Sequence, residues 1–218
     1  SGMLSGFYLP RWELFFKRLD ESLAADEPFD AEAFENQIRD WEVAWTHRTD
    51  PFPTQPRGDS VETARQLLAK YGEALVRREA QSLTTDKPAS CSSALPQYPV
   101  HLANDGRRNN TNSFWATDVN QDAEPWWQVD LKEPTTVGRV VVVLFYGDQR
   151  HYGILVETSL DGQTWQTAAD LRQNQEPSTR AGMNCRFEPR AVQFIRVHVP
   201  HNSANTGRHL VEVLAFEK

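Results

Sequence analysis

Apolar residues recur with two different periods along this 218-residue chain, and the change falls near position 80. Before it, Trp12, Phe15, Phe16, Leu19 and Leu23 repeat at steps of three and four, which sets them on one face of a helix. The spacing predicts a first helix from about Pro10 to Ala25, with Pro10 in the first turn, where a backbone donor is not needed. A second helix starts at Asp30, whose carboxylate can accept from the first-turn N–H groups. Phe29 and Phe34 stand where a hydrophobic staple closes. Phe34, Ile38, Trp41 and Trp45 form its stripe, and it ends before Asp50-Pro51, since the residue preceding proline avoids the helical region. Pro51, Pro53 and Pro56 make a stiff extended connection. A third helix follows Gly58, with Asp59 and Glu62 as a capping box and Val61, Ala64, Leu68, Tyr71 and Leu75 as its stripe. The polar stretch Arg77 to Lys87 reads as a linker.

From about Leu83 the period becomes two. Val137 to Phe145 reads as an apolar strand, unbroken from Val140 to Phe145, as for a strand covered on both faces. Trp126 to Leu131 is a second strand signal. Leu155 to Ser159 and Thr164 to Gln166 flank Asp161-Gly162, a hairpin signal. Ile195, Val197 and Val199 alternate with Arg196 and His198, and Leu210 to Phe216 closes the series. Many short strands separated by turn residues predict a β-sandwich. The expected architecture is α+β in two domains: a three-helix segment over residues 1–80, then an all-β sandwich over 81–218.

Three helices in so short a segment make a thin core, yet their stripes are rich in large aromatics. That predicts the end of a larger all-helical domain. The opening Ser1-Gly2-Met3 has the form of a residual cloning sequence, and the chain is expected to be a fragment of a longer protein. A net charge of −7 argues against nucleic acid as a partner, whose binding needs clustered Lys and Arg. No apolar run reaches the length of a membrane-spanning helix. Two cysteines, Cys91 and Cys185, are too few for a metal cluster; they fit one disulfide or two buried thiols equally well.

The chemistry-bearing residues gather in loops. Asp105, Asn109, Asn110, Thr111, Asn112 and Ser113 offer oxygen ligands in short compass, the donor type calcium takes, and Gly106 permits a sharp turn. The same residues are also ordinary turn formers. Glu212 shares its parity with Leu210, Leu214 and Phe216. A carboxylate on a core-facing row needs a metal or a cationic partner, and Arg139 or Arg196 could supply the latter. For sugar, the loop Tyr146 to Tyr152 combines aromatic rings with planar polar groups. The candidates are Tyr146, Arg150, Tyr152, Asn202 and Asn205, with Trp115 as a stacking platform. Arg150 and Tyr152 could instead be strand-flanking residues bonded to backbone. No pair of carboxylates sits in a motif that sets a glycosidase separation. His47, His101, His151, His198, His201 and His209 show no metal-ligand spacing. No catalytic residue is assigned to this chain.

Residues from about 83 to 218 resemble the discoidin domain, also called the coagulation factor V/VIII type C domain. The resemblance rests on Asn104-Asp105-Gly106, Ser113-Phe114-Trp115-Ala116-Thr117, Trp126 to Leu131, Val156 to Gly162, Phe194-Ile195-Arg196-Val197, Asn202-Ser203-Ala204-Asn205 and His209-Leu210-Val211-Glu212. It implies a jelly-roll sandwich, a carbohydrate-binding role in relatives appended to glycoside hydrolases, and a structural calcium. Carried over, the ligands would be the Leu102 carbonyl, Asp105, Asn110, Ser113, the Val211 carbonyl and Glu212. The loop from Gly106 to Ser113 is longer than the family's usual one. The helical part is similar to the C-terminal end of α-N-acetylglucosaminidases, on Arg11-Trp12, Phe34 to Trp45 and Phe52-Pro53-Thr54-Gln55-Pro56-Arg57-Gly58-Asp59-Ser60-Val61. That implies a parent glycoside hydrolase whose catalytic domain lies upstream in the same polypeptide.

The combined expectation is a non-catalytic C-terminal fragment, secreted or periplasmic, that carries a calcium-stabilised carbohydrate-binding module with a glycan ligand. An adhesion module for protein or lipid, and a purely structural sandwich, are the alternatives.

Overall fold

The structure, a computed structural model, describes Glu62, Arg65, Gln66, Ala69, Lys70 and residues 81–217. The chain divides into two compact units, Ser1–Arg77 and Arg78–Lys218. The five described residues of the first unit are helical and exposed, and Gln66 Nε2 donates to Glu62 Oε1 one turn earlier, at 3.1 Å. The first two expected helices and the rest of the third lie outside the described residues.

The second unit is an all-β sandwich. Its strands are β1 (Ala89–Cys91), β2 (Trp115–Asp118), β3 (Trp126–Leu144), β4 (Tyr152–Ser159), β5 (Gln166–Leu171), β6 (Met183–Asn202) and β7 (Gly207–Phe216), with one 3₁₀ turn at Val100–Ala103. All described pairings are antiparallel, in the order β2-β7-β3-β6-β4-β5, with β1 on β3.

Two strands make the sandwich. β3 has 19 residues and β6 has 20, about twice the length a flat sheet of this size uses. Their mutual register breaks between Asp130/Thr135 and between Val137/Arg139. There each strand leaves one layer and enters the other. The first half of β3 and the second half of β6 share a layer with β1, β4 and β5; the remaining halves join β2 and β7. The sequence reading placed two strands, Trp126–Leu131 and Val137–Phe145, where the structure has one. Lys132-Glu133-Pro134 has the composition of a loop, but it forms an irregularity inside β3, with Lys132 at φ 78° and its N–H on Asp130 Oδ1 at 2.8 Å.

The core lies between the layers. Trp127, Val129 and Leu131 alternate inward from β3, Ile154 and Val156 from β4, and Ile195, Val197 and Val199 from β6. Val140, Val142 and Leu144 enter this core, whereas Val141 and Val143 join a second cluster with Phe114, Ala116, Tyr146, Val211 and Leu214. The unbroken apolar run is thus covered on both faces, as its composition requires. Tyr98 covers the second cluster, stacked on Phe114 with ring centroids 4.5 Å apart.

The stretch expected to be linker enters the sandwich before Lys87. Leu83 N donates to Ala215 O at 2.9 Å, and the buried Thr84 hydroxyl donates to Val213 O at 2.7 Å. The hairpin at Asp161-Gly162 forms, with Gly162 at φ 72°. Asp161 Oδ1 accepts from the N–H groups of Gln163 and Thr164 at 2.8 and 2.7 Å. These backbone bonds hold the carboxyl down at about 2.

Candidate functional site

Four loops meet at one end of the sandwich. Arg180 Nε donates to Asn109 Oδ1 at 2.6 Å, joining the 174–182 loop to the 104–113 loop. Tyr146 Oη donates to Arg108 O at 3.0 Å, joining the loop after β3 to the same segment. Ser178 N donates to Arg150 O at 2.9 Å, and Ser203 N to His151 O at 3.0 Å. The end of the domain is therefore one connected rim.

Beneath it lies the carboxylate corner. Glu212 is fully buried. Its Oε1 accepts from Gly106 N at 3.3 Å and its Oε2 from Arg107 N at 3.1 Å. Asp105 Oδ1 accepts from that same Arg107 N–H at 3.0 Å, and Asp105 Oδ2 accepts from Ser113 Oγ at 3.1 Å. Asp105, Ser113 and Glu212 are thus brought together from positions 8 and about 100 residues apart. Gly106 makes the turn at φ 78°.

A shift in the β3–β7 register aims Glu212. Val143 faces Glu212, but Leu144 faces Leu210, which leaves Val211 as an extra residue. Such a bulge re-aims its neighbours. It also corrects the single parity expected along β7. Leu210 packs in the inter-layer core while Leu214 and Phe216 belong to the second cluster, so Glu212 shares its side only with the latter pair. Of the arginines weighed as partners for Glu212, Arg139 stacks over the Phe216 ring at 4.4 Å. Arg196 sits between the Trp126 and Trp165 rings and donates to Gln128 Oε1. Leu102 lies in the 3₁₀ turn and the Val211 carbonyl at the bulge. The Asn110 amide oxygen turns inward on its own loop, accepting from Asn112 N at 3.0 Å.

Four of the six residues expected to bind sugar are buried, three of them aromatic. Trp115 is fully buried and its indole N–H donates to Ser93 O at 3.0 Å. Tyr152 is also fully buried, with its hydroxyl 2.8 Å from His209 Nδ1. Tyr146 is 8% exposed and its hydroxyl is committed to Arg108 O. None offers an open ring face, because each closes the core beneath a loop. Asn202 is buried too, and its amide donates to Asn205 Oδ1 at 2.8 Å and to Gly207 O at 2.7 Å, shaping its own loop. Arg150 and Asn205 do reach the rim.

The rim's polar groups are Asp148, Arg150, His151, His201 and Asn205. Arg150 stacks over Phe145 at 4.5 Å and forms a two-pronged pair with Asp148 at 2.8 and 2.6 Å. That pair holds the Asp148 carboxyl below its ordinary range. The His151 and His201 rings stand 5.5 Å apart. Behind them, burial and the nearby cations Arg150 and Arg208 push the His209 imidazole down to about 4, so it is neutral. Burial pushes the Tyr152 hydroxyl up to about 12. Phe145 and His209 were not singled out as site residues from sequence. Both sit at strand ends, where an apolar or aromatic residue reads as core; only their neighbours across the loops show that they back the rim.

A further organiser is Arg208, 6% exposed. Its guanidinium donates to the carbonyls of Val199, Pro200, Asn205, Thr206 and Gly207 at 2.8–3.3 Å. Cys91 and Cys185 are free thiols, and among the described residues no three His, Cys, Asp or Glu side chains converge as a metal site.

With this architecture the chain belongs to the F5/8 type C domain family, whose model matches residues 88–213. Residues 1–70 match a second model, the α-N-acetylglucosaminidase (NAGLU) C-terminal domain. Human α-N-acetylglucosaminidase is 35% identical over 71 residues, which is 33% of this chain and 10% of that protein. The chain thus spans about a tenth of the length of that relative. Among solved structures, chitosan-binding module 1 of a chitosanase/glucanase from Paenibacillus sp. IK-5 shares the fold with TM-score 0.51 and 22% identity, over 62% of this chain and 98% of the module. A Clostridium perfringens enzyme solved with its substrate GlcNAc-α-1,4-galactose matches with TM-score 0.54 and 20% identity, over 63% of this chain and 14% of that chain.

Proposed function

We propose that residues 81–218 form a glycan-binding module and that residues 1–80 are the end of the helical domain of an α-N-acetylglucosaminidase-like glycoside hydrolase. The observation that carries the reading is the rim. It sets a carboxylate, a guanidinium on an aromatic ring, two imidazoles and an amide on loops tied to one another. Sugar hydroxyls take hydrogen bonds from planar polar groups of this kind, and a pre-tied rim holds them in place without an ordering cost on binding. Arg150, Asn205, Asp148, His151 and His201 carry the contact in this reading. The family and the helical match support the setting, a hydrolase whose catalytic carboxylates lie upstream in the same polypeptide. The module would then keep that enzyme near its glycan by raising effective concentration. Glycans of this kind and millimolar calcium both suit a secreted or periplasmic location.

The carboxylate corner fits a structural calcium. Two carboxylates and a hydroxyl bring side-chain oxygens to one corner, and calcium takes oxygen ligands from side chains and backbone alike. Asp105, Ser113 and Glu212 would hold it, with the Leu102 and Val211 carbonyls and Asn110 completing the set. The ion would supply charge and rigidity beneath the rim, and no chemistry.

The adhesion reading needs apolar loop tips. Leu160 is the exposed large apolar side chain among the described residues, and it lies on the β4–β5 hairpin, away from the rim. A glycan array read beside anionic vesicles separates the classes. Saturable binding to one glycan class, lost in Arg150→Ala, is expected. Silence on the array with tight vesicle binding would overturn the proposal.

A further inference from the structure

Arg150 is held on three sides. Its Nε and Nη2 donate to Asp148 Oδ2 at 2.8 and 2.6 Å. Its guanidinium lies over the Phe145 ring at 4.5 Å, and the same group makes a hydrogen-bond contact with the Tyr152 hydroxyl. At the rim, 15% of the Arg150 side chain and 45% of the Asp148 side chain stay open to solvent. The tyrosine contact is the one that reaches inward, because Tyr152 is fully buried. A phenylalanine would fill that core position as well. The hydroxyl costs free energy there unless it is paired, and it is paired on both sides.

A chain of hydrogen bonds continues into the core. A guanidinium has donors only, so Tyr152 Oη accepts from Arg150. That commits the hydroxyl proton to its other partner, His209 Nδ1, at 2.8 Å. The imidazole is then the tautomer with its proton on Nε2. His209 is fixed in turn. Its ring meets Phe114 edge-on, with centroids 5.3 Å apart. It also closes on Gly207, where a Cβ would stand 2.7 Å from His209 Cε1 and Nε2. The tyrosine backbone is tied down as well, by Asn174 Nδ2 donating to Tyr152 O at 3.1 Å.

We propose that the buried Tyr152 hydroxyl, braced by His209, is a positioning group that holds the Arg150 guanidinium in place for a sugar hydroxyl. The proposal rests on the glycan-binding reading of the rim. An arginine side chain has several rotatable bonds, and ordering it at the moment of binding costs affinity. Asp148 restrains it from the solvent side, where the carboxylate can swing with its partner. Phe145 restrains the guanidinium to a plane and leaves it free to turn within that plane. Tyr152 supplies the third point, from a side chain that the core holds still. Neither Tyr152 nor His209 touches the sugar, in keeping with their burial.

Two measurements on the full chain test this: calorimetry with the strongest-binding glycan from the array, and NMR of the arginine side-chain N–H groups. In the parent, Arg150 should show hindered rotation about its Cζ–Nη bonds. Tyr152→Phe keeps the ring and removes the hydroxyl. It should weaken glycan binding by about three- to tenfold and speed that rotation. His209→Phe should do the same, and His209→Asn, which keeps an acceptor where Nδ1 stands, should bind more tightly than His209→Phe. Parent-like affinity in Tyr152→Phe overturns the proposal and leaves the glycan reading standing. So does weaker binding with the Arg150 signals unmoved, since the hydroxyl would then act through stability alone. A freely rotating Arg150 in the parent overturns it too. Silence of the parent across the array overturns both.

Discussion

Asp105 and Glu212 accept the same backbone N–H, that of Arg107, at 3.0 and 3.1 Å. The relationship joins the first loop of the sandwich to its last strand. Glu212→Ala leaves the part-buried Gly106 N–H without its acceptor and Arg107 N–H with Asp105 alone, and should lower stability by about 1–3 kcal/mol. Calcium makes a separate prediction. Chelator should lower the melting temperature of the parent, and do so far less in Asp105→Ala and Glu212→Ala. A parent that melts identically with and without chelator removes calcium from the account and leaves the hydrogen-bonded corner.

The buried Arg208 guanidinium satisfies five carbonyls of the 199–207 segment. Lysine keeps the charge but presents a point donor instead of a planar fork. Arg208→Lys should therefore cost about 2 kcal/mol and speed amide exchange across residues 200–207 before it alters exchange in β3. Uniform exchange across the domain would show that the arginine acts only through global stability.

His209 gives a pH dependence whose sign is fixed. Its folded value is lowered, to about 4, so between that value and about 6.5 the unfolded chain holds the extra proton. Stability from this residue is complete above the unfolded value. It is lost as pH falls toward 4, at up to about 1.4 kcal/mol per unit. His209→Phe should flatten that part of the stability curve. It should also free the Tyr152 hydroxyl, which is 2.8 Å from Nδ1.

Burial pushes the Cys185 thiol up to about 12, and also raises that of the half-buried Cys91. The thiolate is the reactive form. A thiol reagent at neutral pH should label Cys91 slowly and Cys185 only on unfolding. A single disulfide detected by mass spectrometry would contradict this.

Close backbone approach sets another test. A Cβ on Gly153 would lie 2.4 Å from Arg172 O, where β4 passes the end of β5. Gly153→Ala should destabilise by about 1–3 kcal/mol, measured by denaturant titration. An unchanged midpoint would mean that β5 moves aside at no cost.

Much of the sandwich was legible because its signals are local. The alternation of Ile195, Val197 and Val199 and the run Val140 to Leu144 state their faces directly. Glu212 was legible through its parity with Leu214 and Phe216, although the bulge at Val211 took Leu210 to the other side. What failed needed long-range information. Lys132-Glu133-Pro134 reads as a loop until its neighbours show β3 running through it. Trp115, Tyr146 and Tyr152 have the residue types of a sugar platform, and only the packed structure shows them closing the core. The polar rim was partly visible in Arg150 and Asn205; Asp148 joins it by pairing with Arg150, His151 by bonds to Ser203 across the loops, and His201 by its ring contact with His151.

The most direct test of the glycan-binding rim is a two-dimensional amide NMR titration of the chain with the strongest-binding glycan from the array. The account expects saturable shifts concentrated at residues 148–151 and 201–205, with the outer sheet face around Trp126 and Trp165 unmoved. Shifts centred on that sheet face, or none at any concentration, would contradict it.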